Sequence, residues 1–211
     1  MKTMIARVAV LGALLAAGGA RADGYETYRP SQSMYILNYE IAAPVGSFSD
    51  KFIKDTSWRG ISFESRSMVH PSISAGIGFT FNRFEQTYGN VAVTNSSGGT
   101  LSGPVYRYAD QFAVKGLVHG YLLQGPLRPY LGLGIGGVWS YSYSQSADLT
   151  TPDNGFDFIL SPEVGLTYTV ARGGSSVGFN AAFRYNYTTA DFGKVSDAQS
   201  IGFVFGIFGA Y

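Results

Sequence analysis

The side chains able to do chemistry in this 211-residue chain are few: two histidines, no cysteine, and a small set of charges. Without cysteine there is no thiol nucleophile, disulfide or thiolate metal site. His70-Pro71-Ser72 puts a hydroxyl two residues from a base, the raw material of acyl transfer, but Pro71 breaks a strand and places the pair in a turn. His119 is followed by Gly120 and Tyr121, with no nucleophile or carboxylate at a useful spacing. Neither paired carboxylates nor a cluster at metal-ligand spacing is present, so no catalytic residue, metal or cofactor is expected. The run GLGIGG, with Gly132, Gly134 and Gly137, fits G-x-G-x-x-G. That fingerprint needs a helix to follow, and VWSYSYS continues as strand. What remains is a balanced set of charges: Glu40, Glu64, Asp157 and Glu163 against Arg66, Arg107, Lys115 and Arg184.

Eight segments position these charges, each alternating at period two. They run approximately Met34 to Pro44, Trp58 to Val69, Ile73 to Phe84, Tyr106 to Leu123, Pro129 to Tyr143, Phe156 to Val170, Val177 to Thr188 and Gln199 to Tyr211. One parity is apolar, as in Tyr35, Leu37, Tyr39 and Ile41 or Phe179, Ala181, Phe183 and Tyr185. The other is small or polar, and the eight charges stand on it. Fifteen Tyr, fifteen Phe and 28 Gly favour extended structure over helix.

The N-terminus indicates the solvent. Lys2 and Arg7 flank the start, Val8 to Ala17 is a short apolar core, and Ala20-Arg21-Ala22 is an A-x-A cleavage site, so residues 1–22 read as a secretory signal peptide. Residues 23–33 then form a periplasmic segment and 34–211 the folded domain. Losing Lys2, Arg7 and Arg21 leaves 12 basic residues against 14 acidic ones, and no nucleic-acid footprint.

A soluble sandwich also alternates, but it turns its apolar face inward. Here the mid-segment apolar parity carries no Lys, Arg, Asp or Glu; Arg83, Glu85 and Asp110 share it only where strands enter outer loops. Aromatics gather at both ends of that parity, among them Phe112, Trp139, Tyr141 and Phe158 outside and Tyr35, Tyr168 and Tyr211 inside. Two aromatic girdles, short even-numbered links and mostly longer odd-numbered ones predict an all-β, eight-stranded, antiparallel up-and-down transmembrane β-barrel in the outer membrane. The chain can stop on the apolar SIGFVFGIFGAY because strand eight pairs with strand one and leaves no edge.

Eight strands leave an interior that side chains can fill. The inward charges therefore read as a paired polar plug, the alternative being an ion gate in a narrow channel. Glycines 132, 134 and 136 would leave room for large opposing side chains such as Arg184, or allow the strand to curve. Among the outer connections, SFSDKFIKD offers a one-turn helix capped by Ser49 or Asp50, with Phe52 and Ile53 on one side. Gln86 to Val105 and Ser144 to Asn154 read as polar loops without a recognisable binding motif.

The signal peptide, the eight alternating segments and the terminal GFVFGIFGAY resemble the small outer-membrane β-barrels of the OmpA/OmpX-like superfamily. The stretch Pro44 to Arg66 is also similar to the first loop and second strand of a group of bacterial barrels of this size. The resemblance implies outer-membrane lipid as surroundings and the barrel assembly machinery as a partner during insertion. It assigns Phe203, Phe205, Ile207 and Tyr211 as the signal that machinery reads. It is specific for architecture and not for activity, since members include adhesins, small-solute channels, structural proteins and a few lipid enzymes. The expectation is a monomer whose plugged lumen and polar loops give it a structural or surface-interaction role, the charged lumen offering a narrow channel for ions or small solutes as the alternative.

Overall fold

Alternation resolves into eight strands: β1 (Ser33–Val45), β2 (Ser57–His70), β3 (Ile73–Thr94), β4 (Thr100–Tyr121), β5 (Leu127–Ser146), β6 (Leu149–Thr169), β7 (Ser176–Thr188) and β8 (Ala198–Ala210). One short helix, α1 (Gly46–Lys51), follows β1. The computed structural model describes residues 33–94, 100–146, 149–170, 176–190, 195 and 197–211. The expected signal peptide and residues 23–32 lie outside the described residues.

Each strand pairs antiparallel with its sequence neighbours, and β8 returns to β1 in a closed barrel. The closing ladder runs from Met34↔Ala210 to Val45↔Gln199. Its inner end is fastened by Ser33 N–H to Tyr211 O at 3.0 Å and Tyr211 N–H to Ser33 O at 3.1 Å. The final residue is thus a paired member of the sheet, which is what a wall in hydrocarbon requires.

The two parities separate as the pattern dictates. Leu37, Ile61, Ile77, Val118, Ile135, Val164, Phe183 and Ile207 are exposed on the outside, whereas Asn38, Ser62, Gln111, Ser140 and Asn180 are buried inside. An outward apolar face of this size is stable only in lipid. Replacing the mid-height Ile135 by Arg is expected to cost about 2–4 kcal/mol in a bilayer, while the same change at the exposed Thr87, above the aromatic belt, costs far less. Guanidinium unfolding from lipid vesicles measures both, and equal costs at the two sites would contradict a lipid-facing wall.

Two outer connections differ from expectation. Among the described residues of 86–105 and 144–154, strand replaces the expected loop: β3 and β4 continue their ladder to Thr94↔Thr100, and β5 and β6 to Ser146↔Leu149. Their Ser, Thr and Gly content reads as loop, but cross-strand pairing with an already registered neighbour extends the sheet. Strands β3 to β6 therefore have 20 to 22 residues where the other four have 13 or 14. This raises one side of the barrel well above the aromatic belt.

Candidate functional site

The lumen is filled in three layers. At the end of the barrel that carries Ser33 and Tyr211, Met34, Ile36, Tyr121, Tyr130 and Phe208 pack into an apolar floor. There Arg128 lies 4.1 Å from the Tyr121 ring centroid, and its Nη2 donates to Pro71 O at 3.2 Å.

The middle layer is ionic, and Arg184 is its hub. Its Nη1 donates to Glu40 Oε2 at 3.1 Å and its Nη2 to Glu64 Oε1 at 2.6 Å. Glu163 Oε2 receives Nε at 2.8 Å and lies 2.7 Å from Nη2. Arg66 clamps Glu64 Oε2 through Nε and Nη2, at 2.8 and 2.5 Å, and reaches Glu163 Oε1 at 3.3 Å. Its guanidinium carbon sits 4.9 Å from the Tyr130 ring centroid. Lys115 Nζ donates to Ser161 Oγ at 3.4 Å, and His119 Nε2 lies 2.8 Å from Glu163 Oε1. Amides complete the layer: Asn82 and Asn186 both donate to Glu40 Oε1, at 3.3 and 3.1 Å. Three carboxylates face three cations, and all six side chains are buried. Ion pairing and a dense set of hydrogen bonds make such a desolvated layer tolerable, although Arg66 Nη1, Asn82 Oδ1 and His119 Nδ1 are buried without a partner.

The register explains how these large groups fit. Opposite most of them stands a glycine: Glu40↔Gly60, Glu64↔Gly78, Arg66↔Gly76, Lys115↔Gly136, His119↔Gly132 and Arg184↔Gly202. A Cβ on Gly132 would lie 2.5 Å from His119 Cδ2 and 2.7 Å from Glu163 Cγ. Gly134 borders Leu117, Lys115 and Ser161, and Gly136 meets the Val114 backbone. The space on β5 thus serves His119, Glu163 and Lys115, and not Arg184 as expected from sequence.

Two of the eight expected charges stand elsewhere. Asp157 lies six residues outward of Glu163 on the same strand, roughly 20 Å along it. Arg107, eight residues outward of Lys115, donates from Nη1 to Lys51 O at 3.3 Å and Phe52 O at 3.0 Å. Arg107 therefore holds the third layer, which sequence reasoning missed as a lumen element. The segment after β1 folds into the barrel mouth, where Phe48, Phe52 and Ile53 pack against Ala42, Phe84, Ala109, Ala190 and Val195.

Local chemistry shapes this stopper. Gly46, at φ +63°, takes the left-handed turn that leads out of β1. The helix begins after extended Val45 with no side-chain cap, so neither Ser49 nor Asp50 caps it. Ser47 Oγ instead donates to Asp197 Oδ1 at 2.6 Å, and Gln199 Nε2 also donates to Asp197. These two bonds hold the Asp197 carboxyl below the usual aspartate range. Only the amphipathic pair Phe52 and Ile53 could have signalled the stopper.

Glu64, His119 and Glu163 each present a ligand atom within 4.8 Å of the others. Their carboxylates are already held by Arg66 and Arg184, and two guanidinium charges at that distance oppose a metal cation. His70 Nδ1 accepts from Ser72 N–H at 3.3 Å in the inner turn between β2 and β3. Phe203, Phe205 and Ile207 on β8, and Tyr211 after it, are all exposed on the outside.

No protein-family model matches the chain, and no curated protein matches it in sequence. Solved structures do match. The surface protein A of Neisseria is similar at a TM-score of 0.58 with 13% identity, over 86% of this chain and 98% of that one. The attachment invasion locus protein Ail of Yersinia pestis is similar at 0.51 with 10% identity, over 86% and 99%. The closed eight-stranded antiparallel sheet and these likenesses establish that the chain has the fold of the small bacterial outer-membrane β-barrels.

Proposed function

We propose that this protein stands in a bacterial outer membrane as a closed barrel, with a structural and surface-presenting role and no catalytic activity. The observation that carries the reading is the filled lumen: apolar floor, neutral ionic layer and apolar stopper stacked along one axis. The feature left to meet the outside is the tall wall of β3 to β6. In this reading the N-terminal 22 residues export the chain, and the aromatic face of β8 guides assembly.

The test trims both tall hairpins to the height of their neighbours, removing residues 87–105 and 144–154. The barrel should still fold, since the membrane ladders are retained, and cells should lose surface binding or envelope integrity, scored as adhesion and leakage of a periplasmic marker. Unchanged adhesion and leakage would count against the surface role.

The charged mid-layer also favours a second reading, a narrow channel gated by the stopper. The double variant Phe48→Ser/Phe52→Ser, reconstituted in liposomes, separates the two. With the ionic layer as an independent barrier, solute efflux stays at background. Efflux appearing on loss of the stopper alone would support the gated channel.

A further inference from the structure

Above the aromatic belt the outer wall carries charges on the parity that faces lipid below. Phe81, Phe112 and Trp139 are register partners across β3, β4 and β5. One row higher stand Arg83, Asp110 and Tyr141, and above them Glu85, Tyr108 and Tyr143. Charge on this parity is costly at mid-bilayer and nearly free at the interface, so these rows mark headgroup height.

The rows are built into a site. Arg83 donates from Nε and Nη2 to the two oxygens of Asp110, both at 2.6 Å. Arg59 Nη1 donates to Glu85 Oε2 at 2.9 Å. The rings of Tyr108 and Tyr143 stack with centroids 4.8 Å apart and planes 19° apart. All six residues line one polar cavity of about 710 Å³. Each ion pair uses only part of its guanidinium, so both arginines keep donors and both acids keep acceptor lone pairs for a ligand.

We infer that this cavity binds the saccharide headgroup of an outer-leaflet glycolipid, an inference that rests on the outer-membrane reading above. Counting Asp55, which also lines it, the cavity holds two positive and three negative side chains, so it suits the sugar hydroxyls of such a headgroup and not the phosphates the headgroup also carries. Alternating fixed donors and acceptors beside aromatic plates suit the hydroxyl-rich faces of sugars. The position commits the source: acyl chains of a ligand seated here run down over Phe112 and Trp139 into the membrane.

Two tryptophans, Trp58 and Trp139, are the chain's entire complement, and both are exposed on the outside near this site. Their fluorescence reports binding in phosphatidylcholine nanodiscs titrated with rough lipopolysaccharide, phosphatidylglycerol or the free core oligosaccharide. Lipopolysaccharide should bind saturably and at least about tenfold more tightly than phosphatidylglycerol. The variant Arg59→Ala/Tyr143→Ala, which leaves the lumen untouched, should lose about tenfold. Equal binding of the two lipids, or an unaffected variant, overturns the site. Free oligosaccharide binding as tightly as the intact glycolipid overturns the membrane-tethered source. Acyl-chain quenchers read insertion separately: quenching without selective binding defeats this inference alone, and no quenching defeats the outer-membrane reading with it.

Discussion

Arg184→Ala is expected to destabilise the barrel by about 3–5 kcal/mol, the cost of removing one partner from a buried ion pair. Arg184 touches Glu40, Glu64 and Glu163. Without it the layer holds three carboxylates against Arg66 and Lys115, and Glu40 keeps only the amides of Asn82 and Asn186. Guanidinium unfolding from bilayers gives the number, and a loss below about 1 kcal/mol, the range of an exposed pair, would contradict a desolvated layer. A cycle with Glu163→Gln adds specificity. The double variant should lose less than the two single losses combined, because neutralising one acid relieves part of the imbalance.

Deleting residues 198–211 is expected to abolish the folded barrel outright. The deletion removes β8 and exposes the facing edges of β1 and β7, whose ladders run from Met34 to Val45 and from Ser176 to Thr188. Each unpaired backbone group left in hydrocarbon costs several kcal/mol, and about two dozen positions are affected. That sum exceeds the whole stability of an ordinary domain. Heat-shifted electrophoresis after refolding into lipid reads the result as loss of the compact band. Removing a similar number of residues from the β3–β4 hairpin above the membrane provides the contrast, with the compact band retained. A compact, lipid-inserted product without β8 would contradict closure through the β1–β8 seam.

The sequence carried the strand alternation, the outward parity and the closure of the terminal strand on β1, because period-two patterning states directly which side chains share a face. Glu40, Glu64, Arg66, Lys115, Glu163 and Arg184 were legible as inward charges for the same reason. Their partners were not, since register across strands decides which glycine stands beside which large side chain. Gly132 opposite His119 is visible only once β4 and β5 are aligned. Arg107 and Asp157 share the inward parity but differ in height, which parity does not encode. The stopper escaped because Phe48, Phe52 and Ile53 lie in a short segment whose burial depends on the barrel mouth around it. The tall hairpins escaped because their composition suits loops and their neighbours make them strands.

The central claim is that the lumen is closed, and the conductance of the refolded protein in a planar bilayer tests it most directly. With insertion verified independently, the filled lumen predicts silence from the wild type at all moderate voltages. Steady unitary currents from the wild type, altered in Arg184→Ala, would contradict it and make the ionic layer a gate.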